Sequence, residues 1–137
     1  MGQQQLLLII LGVIVVGIAV AVGITMFADN AVSANRDAVV NDLVNFAARA
    51  QQYYRRPTAL GGGQGSFATL DISHLSNKLS GTTIVNANGT YALTAATATD
   101  ATINGQGTEI GNDGSGPVEV NILVRSGGLT DSVWVVN

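Results

Sequence analysis

The first 27 residues of the chain carry no charged side chain. Within them, residues 6–27 form an apolar run of 22 residues that only glycines and Thr25 interrupt. As an α-helix this run is roughly 33 Å long at about 1.5 Å per residue, which is enough to cross the hydrocarbon core of a bilayer. The sequence therefore predicts a membrane-inserted helix in this segment.

The main alternative for this segment is a cleaved secretory signal peptide. Signal peptides have a basic n-region, an apolar core of about 7–15 residues and a cleavage site of small residues. Here no Lys or Arg precedes Leu6, and the apolar run is longer than such a core. We therefore do not expect cleavage after the segment.

A helical pattern continues past residue 27 without a break. Apolar side chains recur there at three- and four-residue spacings, which is the period of an amphipathic helix. Pro57 disfavours helix at Arg56, and the glycines at 61–63 end any continuation. We predict one helix from about Gln3 to about Arg55. The apolar stripe is Val32, Val39, Leu43, Phe46, Ala50 and Tyr53. The predicted helix–head packing residues are the last five, Val39, Leu43, Phe46, Ala50 and Tyr53.

The rest of the chain is rich in Gly, Thr, Ala and Asn. Residues 61–65 predict a flexible loop, and Asp71 predicts the N-cap of a short helix over residues 72–79 that Gly81 ends. Beyond this helix, apolar and polar side chains alternate between turn signals, as in β-hairpins. The alternating runs are 82–86, 90–96, 118–124 and 129–136, with a further strand around 101–110.

These runs predict a small antiparallel sheet of about four strands. A head of this size buries too little surface to be stable alone, so the apolar stripe of the long helix is the expected cover for the sheet. The predicted fold class is α+β, a long N-terminal helix packed on an antiparallel β-sheet head.

Composition disfavours several classes of function. With 11% charged residues, only six Lys and Arg, and a net charge of −3, the chain lacks the cations that neutralise phosphates in nucleic-acid binders. It has no cysteine and one histidine, so no zinc site is expected. That histidine, His74, lies on one turn with Asp71 and Ser73. The three residues are too close along the chain to form a catalytic triad, in which a base must reach the nucleophile on one side and an orienting carboxylate on the other. We expect no catalytic, metal or cofactor site, and no enzymatic activity.

Three loop motifs each have a functional and a structural interpretation. The glycines at 61–65 lack the Lys and Ser/Thr of a phosphate-binding loop, so we interpret them as a linker. Asn-Gly-Thr at 88–90 is a formal glycosylation acceptor and also a hairpin signal. Asn-Asp at 112–113, with Asp100 and Glu109, offers oxygen ligands for calcium but is also ordinary turn chemistry. The structural interpretation is favoured for all three.

Small side chains recur at four-residue spacing in the apolar run. Gly17 pairs with Ala21, and Ala19 pairs with Gly23. Such pairs let helix backbones approach closely, although glycine is also common in membrane helices generally. We favour packing against other helices. The predicted packing residues are Leu6, Leu7, Ile10, Gly17, Ala21 and Gly23.

Taken together, these features resemble a type IV pilin. The resemblance is carried by Met-Gly at 1–2, three glutamines at 3–5 and the apolar residues 6–12, followed by an amphipathic continuation and a β-sheet head. It implies that a prepilin peptidase cuts between Gly2 and Gln3, and that the apolar helices pack as the core of a filament. It also implies membrane lipid around the helix before assembly, an inner-membrane assembly machinery as partner, methylation, and a part in cell-surface adhesion.

Two features depart from the family pattern. The family's glutamate, five residues into the mature chain, is Leu7 here, and the leader consists of Met-Gly alone, without basic residues. In the family this glutamate pairs with the terminal amine of a neighbouring subunit. Here amide hydrogen bonds from residues 3–5 are one substitute for that pairing. The other interpretation is that the leader is not cleaved. Glycines also lower the cost of melting a helix, and residues 16–25 are where the resemblance implies an extended stretch.

The resemblance implies a definite organisation. Residues 1–2 are the leader, 3–27 the transmembrane and filament-core helix, 28–56 its amphipathic continuation, and 57–137 the β-rich head. The chain is then a structural subunit of a helical homopolymer, inserted in the cytoplasmic membrane before assembly and extracellular afterwards. The alternatives are a pseudopilin of a secretion system and a single-span membrane protein whose β-head binds a partner.

Overall fold

The structure is a computed structural model that describes residues 2–136, without the side chains of residues 129–132. The chain divides into two compact units, Met1–Ala31 and Val32–Asn137, which we call the N-terminal unit and the globular unit. One long helix, α1 (Gly2–Arg55), contributes residues to both. The helix predicted from about Gln3 to about Arg55 is thereby confirmed.

The described part of the N-terminal unit is helix throughout. Residues 16–25, where the resemblance implies an extended stretch in a filament, are helical in the single chain. Thr25, the polar interruption of the apolar run, donates its hydroxyl to the carbonyl oxygen of Val22 at 2.8 Å. This back-bonding satisfies the hydroxyl within its own helix, so the run presents no unpaired polar side chain between residues 6 and 27.

The glycine-rich segment after α1 is a fixed cap, not the flexible loop that its composition predicts. The backbone N–H of Gly63 donates to Tyr53 O at 2.8 Å, and that of Gly65 donates to Tyr54 O at 2.7 Å. A Cβ at Gly62 would lie 2.2 Å from Arg56 O. Residues 61–65 therefore satisfy the last carbonyls of α1, and only glycine fits so close to the helix end.

The short helix predicted over residues 72–79 is wrong in extent. Asp71 is an N-cap, as predicted, and its side chain accepts from Ile72 N, but the element it caps is a single 3₁₀ turn, Ile72–His74. Leu75 turns into the core, and Leu79 pairs with Ile84 in a strand. So short a helix is marginal by itself, and burial and strand pairing decide the conformation instead.

Six antiparallel strands form one sheet in the order β1-β2-β3-β4-β5-β6. Their bounds are β1 Leu79–Ser80, β2 Thr83–Val85, β3 Gly89–Ala96, β4 Asp100–Ile110, β5 Pro117–Arg125 and β6 Gly128–Val135. The α+β class is confirmed, but the sheet has six strands rather than about four. The shortest strand, β1, takes up the end of the predicted helix.

The core of the globular unit lies between α1 and the sheet. One stripe of α1, the loop before β1 and the inward face of the strands contribute to it. The predicted stripe of α1 is buried, while Asp37, Asn41 and Asn45 on its other faces are exposed. The buried apolar residues are Val32, Val39, Leu43, Phe46, Ala47, Ala50, Tyr53, Phe67, Leu70, Ile72, Leu75, Ile84, Tyr91, Ala101, Ile103, Val118, Val120, Ile122 and Val124.

Two glycines of β4, Gly105 and Gly107, lie directly against side chains of α1. A Cβ at Gly105 would stand 2.9 Å from Val39 Cγ1, and a Cβ at Gly107 would stand 2.0 Å from Asn35 Oδ1. Both distances are shorter than side chains tolerate, so a larger residue would displace the helix. The sequence presents these glycines as weak points of a strand; in the fold they allow the helix to lie directly on it.

Candidate assembly surfaces

The apolar run of the N-terminal unit is an exposed surface on all sides. Every Leu, Ile, Val, Met and Phe side chain between residues 6 and 27 is 48–79% exposed. Among the described residues, α1 is the helix that is long and apolar enough to cross a membrane. Because apolar surface is driven out of water, this run needs a cover of lipid or of other apolar helices.

The predicted packing residues of this run fall on more than one flank of α1. At 3.6 residues per turn, Leu6, Ile10, Gly17 and Ala21 lie within a sector of about 60°. Leu7 lies at the side of that sector, and Gly23 lies on the opposite flank, in line with Gly12 and Ala19. A Cβ at Gly12, Gly17 or Gly23 would meet nothing within 4 Å. The helix thus has two flanks with small side chains, facing away from each other. Gly2 and Gln3, the predicted cleavage residues, form the first turn of α1.

A row of polar side chains follows the second part of α1, and its first two members bond to the sheet. Asn35, Asp42 and Arg49 recur at seven-residue intervals and share one flank of the helix, and Arg56 follows at the same interval directly after the helix ends. At the first position, Asn35 Oδ1 accepts from Thr108 N at 3.0 Å, and Asn35 Nδ2 donates to Asn88 O at 3.0 Å. This side chain ties the end of β4 and the β2–β3 turn to the helix.

At the second position, one oxygen of Asp42 gathers three donors. Tyr91 Oη donates to Asp42 Oδ2 at 2.6 Å, and the side-chain amides of Asn86 and Asn88 donate to it at 2.8 and 2.9 Å. Burial raises the pKa of the Asp42 carboxyl, but the three hydrogen bonds together outweigh it and leave that pKa below its usual value. Burial, followed by the hydrogen bond to Asp42, raises the pKa of Tyr91 far above its usual value. The pair therefore stays as a carboxylate and a neutral phenol.

The last two positions line an open groove of about 500 Å³ near the end of α1. Arg49, Arg56 and His74 supply its polar walls, together with Gln52 and Tyr53. Arg49 Nη1 donates to Leu75 O at 2.7 Å, and the His74 and Tyr53 rings pack with centroids 4.6 Å apart. No acidic side chain lines this groove within the part of the chain that the structure describes. We call it the cationic groove.

A second groove continues from the first. It shares Arg49 and Gln52 with the cationic groove and adds Lys78. Its acidic residue, Asp42, already accepts the three hydrogen bonds described above. In residues 2–136, apart from the side chains of 129–132, the ion pair that forms is Arg125 with Asp100, at 3.6 Å. Arg49, Arg56 and Lys78 are thus grouped without a carboxylate partner in the described chain.

The β4–β5 hairpin carries acidic side chains at its tip. Asp113 accepts from Ser115 N at 3.1 Å and from the Ser115 hydroxyl. These hydrogen bonds from Ser115 lower the pKa of Asp113, which keeps the exposed side chain ionised. Ile110, at the start of the loop, is 65% exposed. The hairpin therefore presents a carboxylate at its tip and an exposed apolar side chain at the base of its loop.

The remaining sequence motifs have structural roles. His74 Nδ1 accepts from Asp71 N at 3.3 Å as part of the 3₁₀ cap. Asn88 holds Asp42, and its own N–H donates to Asn86 Oδ1 at 2.9 Å within the turn. Among the described residues there is no cluster of three or more His, Asp or Glu that could hold a metal ion. Asp100 and Glu109, the residues considered above as calcium ligands, stand at opposite ends of β4, roughly 30 Å apart along the strand at about 3.4 Å per residue.

The polar row and the cationic groove were not predicted from the sequence. The seven-residue spacing of Asn35, Asp42, Arg49 and Arg56 is visible in the sequence, but the apolar stripe dominates the same helix. The arrival of His74 beside Arg56 depends on how the glycine cap folds back, which no local pattern encodes. Comparison of the chain with protein-family models, with curated proteins and with solved structures finds no match.

Proposed function

We propose that this chain is the structural subunit of a type IV pilus-like extracellular filament that polymerises through its N-terminal apolar helix. The observation that carries the proposal is the exposed apolar run of α1, joined in one chain to a unit that has a core of its own. At about 25 cal/mol per Å² of apolar surface, leaving such a run in water costs on the order of tens of kcal/mol.

The apolar run of α1 is shielded from water in two ways, before and after assembly. In the membrane, lipid surrounds the run, since its length and composition suit a single span. In a filament, the same surface is covered by the runs of neighbouring copies. The two flanks with small side chains support contacts on opposite sides of each helix, and repetition of one such head-to-tail contact produces an open helical polymer.

The proposed partners follow from this cycle. The chain's main partner is a second copy of itself, and an inner-membrane assembly machinery moves the subunit from lipid to filament. A prepilin peptidase cuts between Gly2 and Gln3. Mass spectrometry of isolated fibres tests the last point: a chain that begins at Gln3 supports it, and an intact Met1 removes it.

The filament is tested with cells that produce the chain. We expect sheared surface fractions to contain fibres that bind an antibody against this protein in electron micrographs. The matched variants are Gly17→Leu, which fills a small-residue flank, and Ile18→Leu, which exchanges bulky for bulky in the same run. Gly17→Leu should insert in the membrane but lose fibres, while Ile18→Leu keeps them. If the wild-type chain stays in detergent-extracted membrane as a monomer, the filament proposal fails.

A second candidate is a single-span membrane protein whose β-sheet binds a partner. A pseudopilin of a secretion system is intermediate between this candidate and the filament subunit. The observation that favours it is the outer strand of the sheet, β6, where Val133, Trp134 and Val135 are all exposed. Unpaired strand edges are ready sites for added strands. Here the chain would be extracted as a monomer, and Trp134→Lys would abolish co-purification of the partner without changing membrane insertion.

A further inference from the structure

In the globular unit, the described acidic and basic side chains lie at different positions along α1. The β4–β5 hairpin lies level with Asn35, because Asn35 Oδ1 accepts from Thr108 N and Glu109 N at 3.0 and 3.3 Å. The cationic groove lies at Arg49 and Arg56. From residue 35 to residue 56 the helix advances roughly 30 Å at about 1.5 Å per residue. The hairpin tip and the groove therefore occupy opposite ends of the globular unit.

The two ends have opposite charge. Asp37, Glu109 and Asp113 lie at the hairpin end, while the groove end carries Arg49, Arg55, Arg56 and Lys78. One cation, Arg36, is also at the hairpin end, but it is half-buried, with its Nε enclosed. At the groove end, Asp71 is occupied in capping the 3₁₀ turn, and Asp100 faces Arg125. Among the side chains that the structure describes, the accessible charges thus form an acidic end and a basic end.

We propose that the acidic tip of the β4–β5 hairpin of one copy docks into the cationic groove of the next copy. The occupant is a second copy of this chain, and the argument is charge complementarity between two ends of the same unit. Head-to-tail repetition of this contact extends a polymer, whereas a closed two-fold dimer, in which each tip enters the groove of the other copy, stops at two copies. This inference rests on the proposed filament, since it names a contact between its heads.

The details of the two surfaces fit one another. Asp113 accepts two hydrogen bonds from Ser115, and Ile110 at the base of the same loop is exposed, so the hairpin offers both a carboxylate and an apolar contact. The groove offers the guanidinium of Arg56 next to the aromatic ring of Tyr53. Arginine binds carboxylates with paired, directed hydrogen bonds. A rigid acidic loop is therefore the ligand shape that this groove suits.

The test uses the absence of cysteine from the chain. The full-length chain carrying both Asn112→Cys and Gln52→Cys, which leaves Asp113 and Arg56 in place, is produced in cells and treated with a short bismaleimide crosslinker. If tip and groove of successive copies touch, denaturing gels show a ladder of covalent oligomers. A mixture of the two single-cysteine chains should stop at dimers. The control chain, with Asn112→Cys and Ala95→Cys, places its second cysteine on an exposed position of β3 outside the groove and should give no ladder.

Exchanging the charges of Arg56 and Asp113 distinguishes loss of the contact from misfolding of a variant. Arg56→Glu and Asp113→Arg should each lower the fibre or ladder yield by about tenfold or more, because like charges then face each other. The chain with both changes should recover to within about twofold of the wild type. Ala95→Glu, which places a carboxylate on an exposed position of β3 outside the cationic groove, should leave the yield unchanged. Failure of the double variant to recover overturns the contact.

The outcomes separate this contact from the filament. Fibres without a ladder overturn the contact and leave the filament standing. A ladder in membranes without fibres supports the contact between copies and removes the filament. Absence of both overturns both.

Discussion

The two units of the chain place the same residue types in opposite environments. In the N-terminal unit, Leu8 is 68% exposed; in the globular unit, Leu43 is 0% exposed. Glycines differ in the same way, since nothing lies near a Cβ at Gly17, whereas one at Gly105 would strike Val39 and Tyr91. The globular unit thus buries its apolar side chains through contacts within the unit. The N-terminal unit depends on surfaces outside the described chain.

This difference teaches where each unit's stability comes from. Burial and polar contacts within the chain stabilise the globular unit, so substitutions there should change its free energy of unfolding. In the described part of the N-terminal unit, the apolar side chains of the helix are exposed, so substitutions there should change insertion or assembly and leave the unfolding of the globular unit unchanged. Each prediction below pairs a change in one environment with a matched change in another.

The largest effect is expected from truncating a buried leucine. Leu43→Ala removes a fully buried side chain between α1 and the sheet, and such cavities cost about 2–5 kcal/mol of unfolding free energy. Leu8→Ala makes the same chemical change in the apolar run and should leave that free energy unchanged. The measurement is urea unfolding of the full chain in detergent micelles, followed by near-ultraviolet circular dichroism. Equal effects of the two variants would contradict the division into units.

The next effect concerns the close approach of α1 to β4. Gly105→Ala places a Cβ 2.9 Å from Val39 Cγ1 and 3.0 Å from a Tyr91 ring carbon. Overpacking of this kind costs about 1–3 kcal/mol. Gly17→Ala meets no neighbour, and alanine favours helix over glycine by roughly 1 kcal/mol, so it should not lower stability. A Gly105→Ala chain as stable as the wild type would show that the helix does not lie directly on β4.

Sequence patterns were informative where the signal is local. The end of α1 follows from Arg56-Pro57, and the cap at Asp71 from its side chain, because both act within a few residues. The strands from Thr83 onward follow from alternation, as in Val118, Val120 and Ile122 of β5, which all point into the core.

Patterns failed where distant residues decide. Leu75 turns into the core and ends the 3₁₀ turn that would otherwise extend as a helix. Gly105 and Gly107 weaken a strand locally and yet let α1 settle on the sheet. The cationic groove likewise joins Arg56 to His74 only after the glycine cap has brought the chain back. For the assembly surfaces, composition was enough to find the apolar run but not the groove.

A smaller effect is expected at the Asp42–Tyr91 contact, and it should depend on pH. A hydrogen bond to a charged group contributes about 1.5–3 kcal/mol, so Asp42→Asn and Tyr91→Phe should each destabilise the globular unit by roughly that amount at neutral pH. The pKa of Asp42 is lowered in the fold from 3.8, so its contribution is present above about pH 4 and disappears as the pH falls through the lowered value.

The alkaline side has the opposite sign. The pKa of Tyr91 is raised in the fold from 10.0, so its contribution is complete below about pH 10 and is lost as the pH rises above it. Unfolding curves of the full chain in micelles, from pH 3 to pH 11, measure both limbs. Asp42→Asn should flatten the acid limb, and Tyr91→Phe should flatten the alkaline limb. A variant that leaves both limbs as in the wild type would separate this contact from the stability of the unit.

The smallest effect is expected at the ion pair between Arg125 and Asp100. The charged atoms are 3.6 Å apart and both side chains are exposed, and pairs of this kind contribute about 0–1 kcal/mol. A double-mutant cycle with Arg125→Gln and Asp100→Asn should give a coupling of about 0.5 kcal/mol or less that vanishes in high salt. The same cycle on Arg56 and Asp113, in the monomeric chain, should give no coupling, because they stand at opposite ends of the globular unit. Coupling between them that appears only in fibres would mean that the energy comes from a neighbouring copy, and coupling already present in the monomer would contradict the sorting of charges along α1.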